Sequence, residues 1–302
     1  MLSTAVTPHP VRGLQHWQAV LLMVLVNLLW SVAGVVSRQI EAASGIEITF
    51  WRSFFTLISL GIMLPWLRGP AVFAELRRAP RALWISGLCW SVMFTAFMVA
   101  LSLTSVAHVL VTTSVGPLFT ALAAWWLISH PIPLRTWITI AIAGLGIVTM
   151  QFGQLGEGQW QGGLIALCVP LAGAINWTTV QHSHAQGKDV DLLPAVLVGA
   201  FISAASTLAW AMPFQASPRD LMWLAGLGLF QLAIPCCLLL VAARVLKAPE
   251  LSLLVLLEAV LGILLTWLFT NETPTPQILL GGGLVLVTLG INELLGWRAR
   301  RS

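Results

Sequence analysis

Glu258 is the only ionisable side chain in the apolar stretch LLVLLEAVLG, residues 253–262. In such surroundings a carboxylate can accept a substrate ammonium group, carry a coupling proton, or act as a structural acid that bonds a neighbouring helix. An ionised carboxylate that faced lipid would be strongly unfavourable. We therefore predict that Glu258 faces the protein interior or a water-filled cavity, and its role stays open among these three.

Further polar and aromatic side chains interrupt other apolar runs. Trp30, Trp90 and Trp177 could offer flat faces to an aromatic ligand by offset stacking, although simple packing explains each one alone. A buried amide needs a hydrogen-bond partner, so it indicates a helix interface or a wet cavity. The predicted binding set is Trp30, Trp90, Thr112, Asn176, Trp177, Gln231, Ser252 and Glu258.

Gly116-Pro117 predicts a bend in its apolar run. Pro117 has no N–H to give to the carbonyl oxygen of Thr113, so the helix should kink there and leave that oxygen free. Such a kink can act as a gating hinge or expose backbone to a cavity. It can equally be static, because glycine and proline are frequent in membrane helices.

Arg52 and His108 complete the candidate polar groups. Arg52 lies about one turn inside the outer end of its apolar run, from which it could reach outward, and structural pairing with a neighbouring group is its expected role. His108 precedes Thr112 by one helical turn. A helix-packing hydrogen bond is the expected role of this histidine, with a proton relay as the alternative.

No motif of a known enzyme class is present. The sequence contains no HExxH pair, no GxxxxGK[ST] loop and no GxSxG elbow. The four cysteines lie in apolar runs without CxxC spacing, where they read as small hydrophobic residues. We therefore expect no catalytic residues, no bound metal, no cofactor and no nucleic-acid partner.

The composition indicates whether the chain is surrounded by water or by lipid. Of its 302 residues, 58% are hydrophobic and only 9% are charged, with a mean hydropathy of +0.90. Soluble domains carry about 25% charged residues. Apolar runs long enough to cross a ~30 Å hydrocarbon core recur along the chain, and the ~10-residue alternation of membrane strands is absent. The sequence predicts an all-α, multi-pass membrane protein in a lipid bilayer.

Ten membrane spans are predicted, with short loops and no soluble domain. The chain divides into an N-terminal tail (1–17), a first five-helix repeat (18–152), a linker (153–159), a second repeat (160–296) and a basic tail (297–302). The predicted spans are 18–37, 47–67, 82–102, 106–129, 135–152, 160–183, 191–212, 220–245, 249–270 and 276–296.

The basic residues predict the orientation. Twelve of the 15 Lys and Arg residues fall on one side of this arrangement, two fall on the other, Arg38 and Arg219, and Arg52 lies within a span. Because cytoplasmic loops collect lysine and arginine, both termini are predicted to be cytoplasmic. Most of the fifteen tryptophans lie near span ends, as an interfacial belt requires.

The two halves resemble each other. A shift of 142 residues places SVGPLFTALAAWWLISHPIPL (114–134) over LLEAVLGILLTWLFTNETPTP (256–276), so that His130 meets Glu272 and Gly116 meets Glu258. Gly87 falls close to the counterpart of Gly228. Since each half has five spans, the second must insert upside down relative to the first, as in many secondary transporters.

The order of several segments resembles a known family. NLLWSVAGVVSR (27–38), ITFWRSFF (48–55), SVGPLFTALAAWWL (114–127), LLEAVLGILLTWLFTNE (256–272) and GGGLVLVTLGI (281–291) are similar to EamA-type members of the drug/metabolite transporter superfamily. Three positions depart from the family's pattern, with Trp30-Ser31 for Trp-Gly, His130 for Glu and Glu258-Ala259 for Glu-Pro.

The resemblance implies a ten-helix, inner-membrane exporter of small organic metabolites that works by alternating access around a central cavity. The branch that exports aromatic and other apolar amino acids fits best, and we expect a monomer. Glu258 would then accept the substrate ammonium, and amides or helix N-termini would donate to its carboxylate. A multidrug or purine exporter, or a membrane-embedded lipid-handling protein, are the alternatives.

Overall fold

The computed structural model describes residues 14–128, 133–152, 160–185, 192–243, 245–246 and 248–299. All ten predicted spans are confirmed as helices. They are His16–Ser37, Gly45–Arg68, Arg81–Leu103, Val106–Ser114 continued by Gly116–Ile128, Leu134–Phe152, Trp160–Ala185, Leu192–Ala211, Pro218–Gly226 continued to Ala242, Ala248–Phe269 and Pro276–Ala299. We number them span one to span ten.

Helices are the expected solution for this composition, because a helix satisfies its own backbone hydrogen bonds inside lipid. Within the described residues, eight helices have the length and hydropathy to cross a membrane, and Leu134–Met150 and Leu254–Phe269 are shorter apolar helices. These two lie in spans five and nine and complete the ten.

Spans four and eight are discontinuous. Span four breaks at Val115, two residues before Pro117, which confirms the predicted interruption. The carbonyl oxygen of Thr113 is not left free as expected, since it accepts the N–H of Val115. Span eight contains a π-helical segment, Leu227–Ala233, between two α-helical parts, and the sequence analysis missed it.

One short helix outside the spans was also missed. Val72–Arg77 follows Gly69, whose φ of 84° ends span two in a conformation that glycine adopts without strain. At six residues it is shorter than the periodic patterns used to predict helices.

The packing of the spans follows a pseudo-two-fold relation between the halves. Span one packs on span nine as span six packs on span four, and span three packs on span six as span eight packs on span one. Spans two and seven pack on each other, as do spans five and ten, and each of these pairs is related to itself. Two repeats with an odd number of spans are thereby interleaved in opposite orientations.

Glycines mark equivalent close contacts. A Cβ on Gly87 of span three would lie 2.5 Å from a methyl group of Val198 in span seven, and a Cβ on Gly228 of span eight would lie 2.6 Å from the Cβ of Phe55 in span two. The predicted correspondence of Gly87 and Gly228 is thus seen in their packing, since both let related helix pairs approach closely.

Candidate substrate-binding site

Arg52 lies buried where spans two, three and eight meet. Its side chain therefore does not extend outward, which its position in the sequence would have allowed. Its Nη1 donates to Oε1 of Gln231 and its Nη2 to the carbonyl oxygen of Phe94, both at 3.3 Å. Its Nε has no hydrogen-bond partner. Among the described residues no carboxylate forms an ion pair with this guanidinium, so its hydrogen-bond partners there are neutral oxygens.

Aromatic rings surround the guanidinium group. The Cζ atom of Arg52 lies 5.6 Å from the ring centroid of Phe94 and 5.9 Å from that of Phe97, within the range of a cation–π contact. The Phe94 ring contacts Trp90 at a centroid distance of 5.5 Å. Two predicted binding residues, Trp90 and Gln231, are therefore brought together around an arginine that was not in the predicted set.

Hydroxyl groups extend this polar cluster. The hydroxyl oxygen of Ser203 in span seven lies 2.9 Å from those of Ser53 and of Thr95, the residues that follow Arg52 and Phe94. Thr56 donates to the carbonyl oxygen of Gly228, inside the π-helical segment, at 3.3 Å. The segment that carries Gln231 is thus the irregular part of span eight, and such π-helical insertions are frequent at functional sites.

Glu258 lies in a second group of residues, between spans one and nine. It is the eleventh residue of the 22-residue span nine, which places it near the middle of the membrane, and its side chain is partly exposed. Its backbone oxygen accepts the hydroxyl of Ser31 at 3.1 Å. Within the described residues the carboxylate itself has no hydrogen-bond partner. Trp30 packs against a buried cluster that includes Met23, Val26 and Ala242.

Several polar atoms are buried without partners elsewhere. The hydroxyl of Thr112, both ring nitrogens of His108 and both amide atoms of Asn176 have no hydrogen bond among the described residues. The expected helix-packing bond of His108 is therefore not seen. Since buried polar groups normally find a partner, these atoms mark places where water or a ligand would be favourable. The side chain of Ser252 lies outside the described residues.

Trp177 is 39% exposed, and its place on span six shows where this exposure lies. It follows Ala166 by eleven residues and Pro170 by seven, spacings that share one helix face, and both of those residues are buried. The exposed stripe of Leu164, Leu171 and Ile175 occupies the opposite face. The spacing therefore places Trp177 on the inward-facing side of span six, in the half nearer its C-terminal end.

At the end of the molecule opposite to Trp177, an ion pair joins the two halves. We call this end the outer side, since the predicted orientation places it outside the cell. Nε of Arg38, at the end of span one, donates to Oε2 of Glu272 at 2.8 Å, and the N–H of Val106 donates to Oε1 at 2.6 Å. The Nη atoms of Arg38 bond the carbonyl oxygens of Leu101 and Thr104 at 2.8 and 2.9 Å. We name these five residues the outer latch.

Two buried acids join other outer loops. Glu47 accepts the N–H groups of Gln215 and Ala216 at 2.8–3.0 Å, which fixes span two to the loop before span eight. Asp220 accepts the N–H groups of Glu41 and Ala42 at 3.3 and 3.2 Å. With the outer latch they connect first-half and second-half loops on this side.

The remaining predictions for the site divide clearly. Gly116 and Pro117 lie at the break of span four, where a hinge would be placed, and their gating role stays a prediction. His130, the predicted counterpart of Glu272, lies outside the described residues. The sequence analysis did not include Arg38 or Arg52 in the predicted site, although both were among the three arginines, with Arg219, that lie away from the predicted inner-side loops.

Comparison with known proteins agrees with this architecture. The model of the EamA-like transporter family matches residues 17–152 and 160–292, one match for each half. The chain is 22% identical to an uncharacterized transporter of Pseudomonas aeruginosa, PA0485, over 91% of this chain and 92% of that protein. A protein of known crystal structure, 18% identical, superposes with a TM-score of 0.64 over 94% of this chain and 99% of its own, and shows the shared fold. The chain belongs to the EamA-like transporter family.

Proposed function

We propose that this transporter exports small organic metabolites across the inner membrane by alternating access, and that aromatic and other apolar amino acids are its substrates. Substrate would enter from the cytoplasmic side, the side on which the half of span six that carries Trp177 is predicted to lie. Opening of the outer latch would then release the substrate outside.

The buried cluster of Arg52, Gln231, Phe94 and Trp90 is the observation that carries the proposal. It places charged, amide and aromatic groups at the contact between the two halves, where transporters of inverted-repeat design hold their substrates. An aromatic amino acid presents a matching combination of a charged end and a flat apolar ring. Glu258, partly exposed near mid-membrane, is the proposed acceptor for the substrate ammonium group.

The test is counterflow in liposomes that contain only the purified protein. The liposomes are preloaded with unlabelled tryptophan, and labelled phenylalanine or threonine is added outside. We expect uptake of label well above that of empty liposomes, because exchange through one site drives label inward. Exchange of phenylalanine alone would indicate an aromatic site, whereas exchange of threonine as well would indicate a broad amino-acid site.

Absence of exchange by folded, inserted protein would remove amino acids as the substrate class and leave the family assignment unchanged. Counterflow of purines or cationic drugs would then favour a metabolite or multidrug exporter. Lipid scrambling without any soluble counterflow would favour a lipid-handling protein.

A further inference from the structure

We propose that Arg52 is the residue that recognises the substrate, by binding an anionic group, and that the side chain of Gln231 occupies the position of that group in the present conformation. The proposal rests on the amino-acid substrate proposed above and specifies how the site would hold its carboxylate. It replaces the expectation that amides or helix N-termini alone supply the donors.

The first argument is the unbalanced charge. A buried cation normally pairs with an anion, because an isolated charge inside a protein is strongly unfavourable. Arg52 has only neutral partners in the described part of the chain, the amide oxygen of Gln231 and the backbone oxygen of Phe94. The site therefore carries a positive charge that a ligand carboxylate would compensate.

The second argument is the geometry of the donors. Both hydrogen bonds of Arg52 are 3.3 Å long, whereas charge-assisted N–H···O bonds are typically about 2.7–2.9 Å. Nε is unused, so the guanidinium retains donors for a two-oxygen acceptor. A carboxylate fits this planar group with two parallel bonds, which a single amide oxygen cannot form.

The third argument is the element that carries Gln231. Its π-helical segment, Leu227–Ala233, lies in the second half, whereas Arg52 belongs to the first. A movement of span eight relative to span two would therefore separate Gln231 from Arg52. The Phe94 and Phe97 rings belong to span three and would stay beside the guanidinium, ready to contact an apolar substrate side chain.

The experiment compares ligands that differ only in the anionic group. L-Tryptophan and L-tryptophanamide share the ring and the ammonium group, and indole-3-propionate and its amide form a second pair without the ammonium. Competition against labelled phenylalanine and ligand-induced thermal stabilisation of the purified protein are both measured. In the native protein we expect the carboxylate of each pair to bind about 10- to 100-fold more tightly, the value of a charge-assisted bond.

Two variants and one control test whether Arg52 causes this preference for carboxylates. Arg52→Gln should reduce the preference to less than about threefold, whereas Arg219→Gln, which removes an exposed outer arginine, should leave it unchanged. Gln231→Glu supplies a permanent internal carboxylate, so it should keep or raise thermal stability and abolish the binding of carboxylate ligands. A purely structural Arg52 predicts that Gln231→Glu binds carboxylates as before.

The outcomes separate the two proposals. Equal affinity for acid and amide in the native protein, or an unchanged preference in Gln231→Glu, overturns carboxylate recognition by Arg52 even if amino acids are exchanged. Binding of indole-3-propionate through Arg52 without any amino-acid exchange supports the anion site and rejects the proposed substrate. If Arg52→Gln does not fold, the native ligand pairs and Gln231→Glu still decide the question.

Discussion

Arg52 and Glu258 are side chains of opposite charge within the membrane spans, and their surroundings differ. Arg52 is enclosed by rings and neutral oxygens between spans two, three and eight. Glu258 is partly exposed and has no hydrogen-bond partner in the described part of the chain. A structural acid would be expected to bond a neighbouring helix, so the surroundings of Glu258 favour contact with substrate or with a proton.

Replacement of Glu258 tests this interpretation. Glu258→Gln keeps the shape and removes the charge, so we expect counterflow to fall about tenfold or to change its dependence on pH, because a bond to a charged group is lost. Folding should be retained, since no described hydrogen bond of the side chain is broken. Counterflow at the native rate with the native pH profile would reject a role for Glu258.

At the scale of elements, the outer ends of spans one, three and four are held to the loop after span nine by the outer latch. The latch joins residues from both halves and includes the N–H group of Val106 at the start of span four, which donates to Glu272. Its ion pair is only partly exposed, with 31% of the Arg38 side chain and 21% of the Glu272 side chain accessible. In the proposed alternating access, release of substrate on this side requires that these contacts break.

Weakening the latch should open the outer side more often. A cysteine-free protein carrying Thr266→Cys reports this, since Thr266 is buried beneath the latch beside Gly34 and Val106. We expect Glu272→Gln to speed labelling by a membrane-impermeant maleimide about fivefold, which corresponds to loss of a ~1 kcal/mol ion pair.

The control is Glu41→Gln, which removes an exposed acid of the same side that lies 4.0 Å from Arg219. It should leave the labelling of Thr266→Cys at the native rate. Equal rates for Glu272→Gln and Glu41→Gln would show that the ion pair does not hold the outer side closed.

Spans five and ten pack through glycine. A Cβ on Gly281 would lie 2.7 Å from the Cγ of Met150, and one on Gly146 would lie 2.7 Å from the carbonyl oxygen of Gly281. Gly281→Val should therefore separate the two helices and destabilise the protein by about 1–3 kcal/mol, measured as a lower melting temperature in detergent. Gly283→Val is the matched control on the same helix, because a Cβ there meets no atom within 4 Å. Similar losses in both variants would contradict close packing at Gly281.

At the scale of the whole molecule, the pseudo-two-fold packing gives each half five spans of opposite direction. The orientation of the two halves in the membrane is predicted from the distribution of basic residues. It assigns the loop after span two to the cytoplasm and the loop after span nine to the outside.

Single cysteines in a cysteine-free background test the orientation. Ala74→Cys lies in the short helix after span two and Thr273→Cys in the loop after span nine, and both positions are exposed. In intact cells an impermeant maleimide should label Thr273→Cys, whereas Ala74→Cys should react only after permeabilisation. The reverse pattern would invert the proposed direction of transport.

The amino-acid sequence was sufficient to predict that the chain lies in a lipid bilayer, that it has ten spans, and that span four is interrupted near Pro117. These depend on local properties, namely the length and hydropathy of each run and the missing N–H of Pro117. It also identified Trp90, Gln231 and Glu258 as unusual, because a polar or indole group within a span is visible without knowledge of its neighbours.

The contacts between these residues, by contrast, could be identified only from the folded structure. Arg52 and Gln231 are 179 residues apart, and Arg38 and Glu272 are 234 residues apart. The spans are apolar on nearly every face, since lipid and protein interior accept the same side chains. Hydrophobic periodicity therefore cannot tell which face of a span meets which neighbour. The partners of a buried charge depend on that choice, and so the neighbours of Arg52 and the contacts of the outer latch became visible only in the folded molecule.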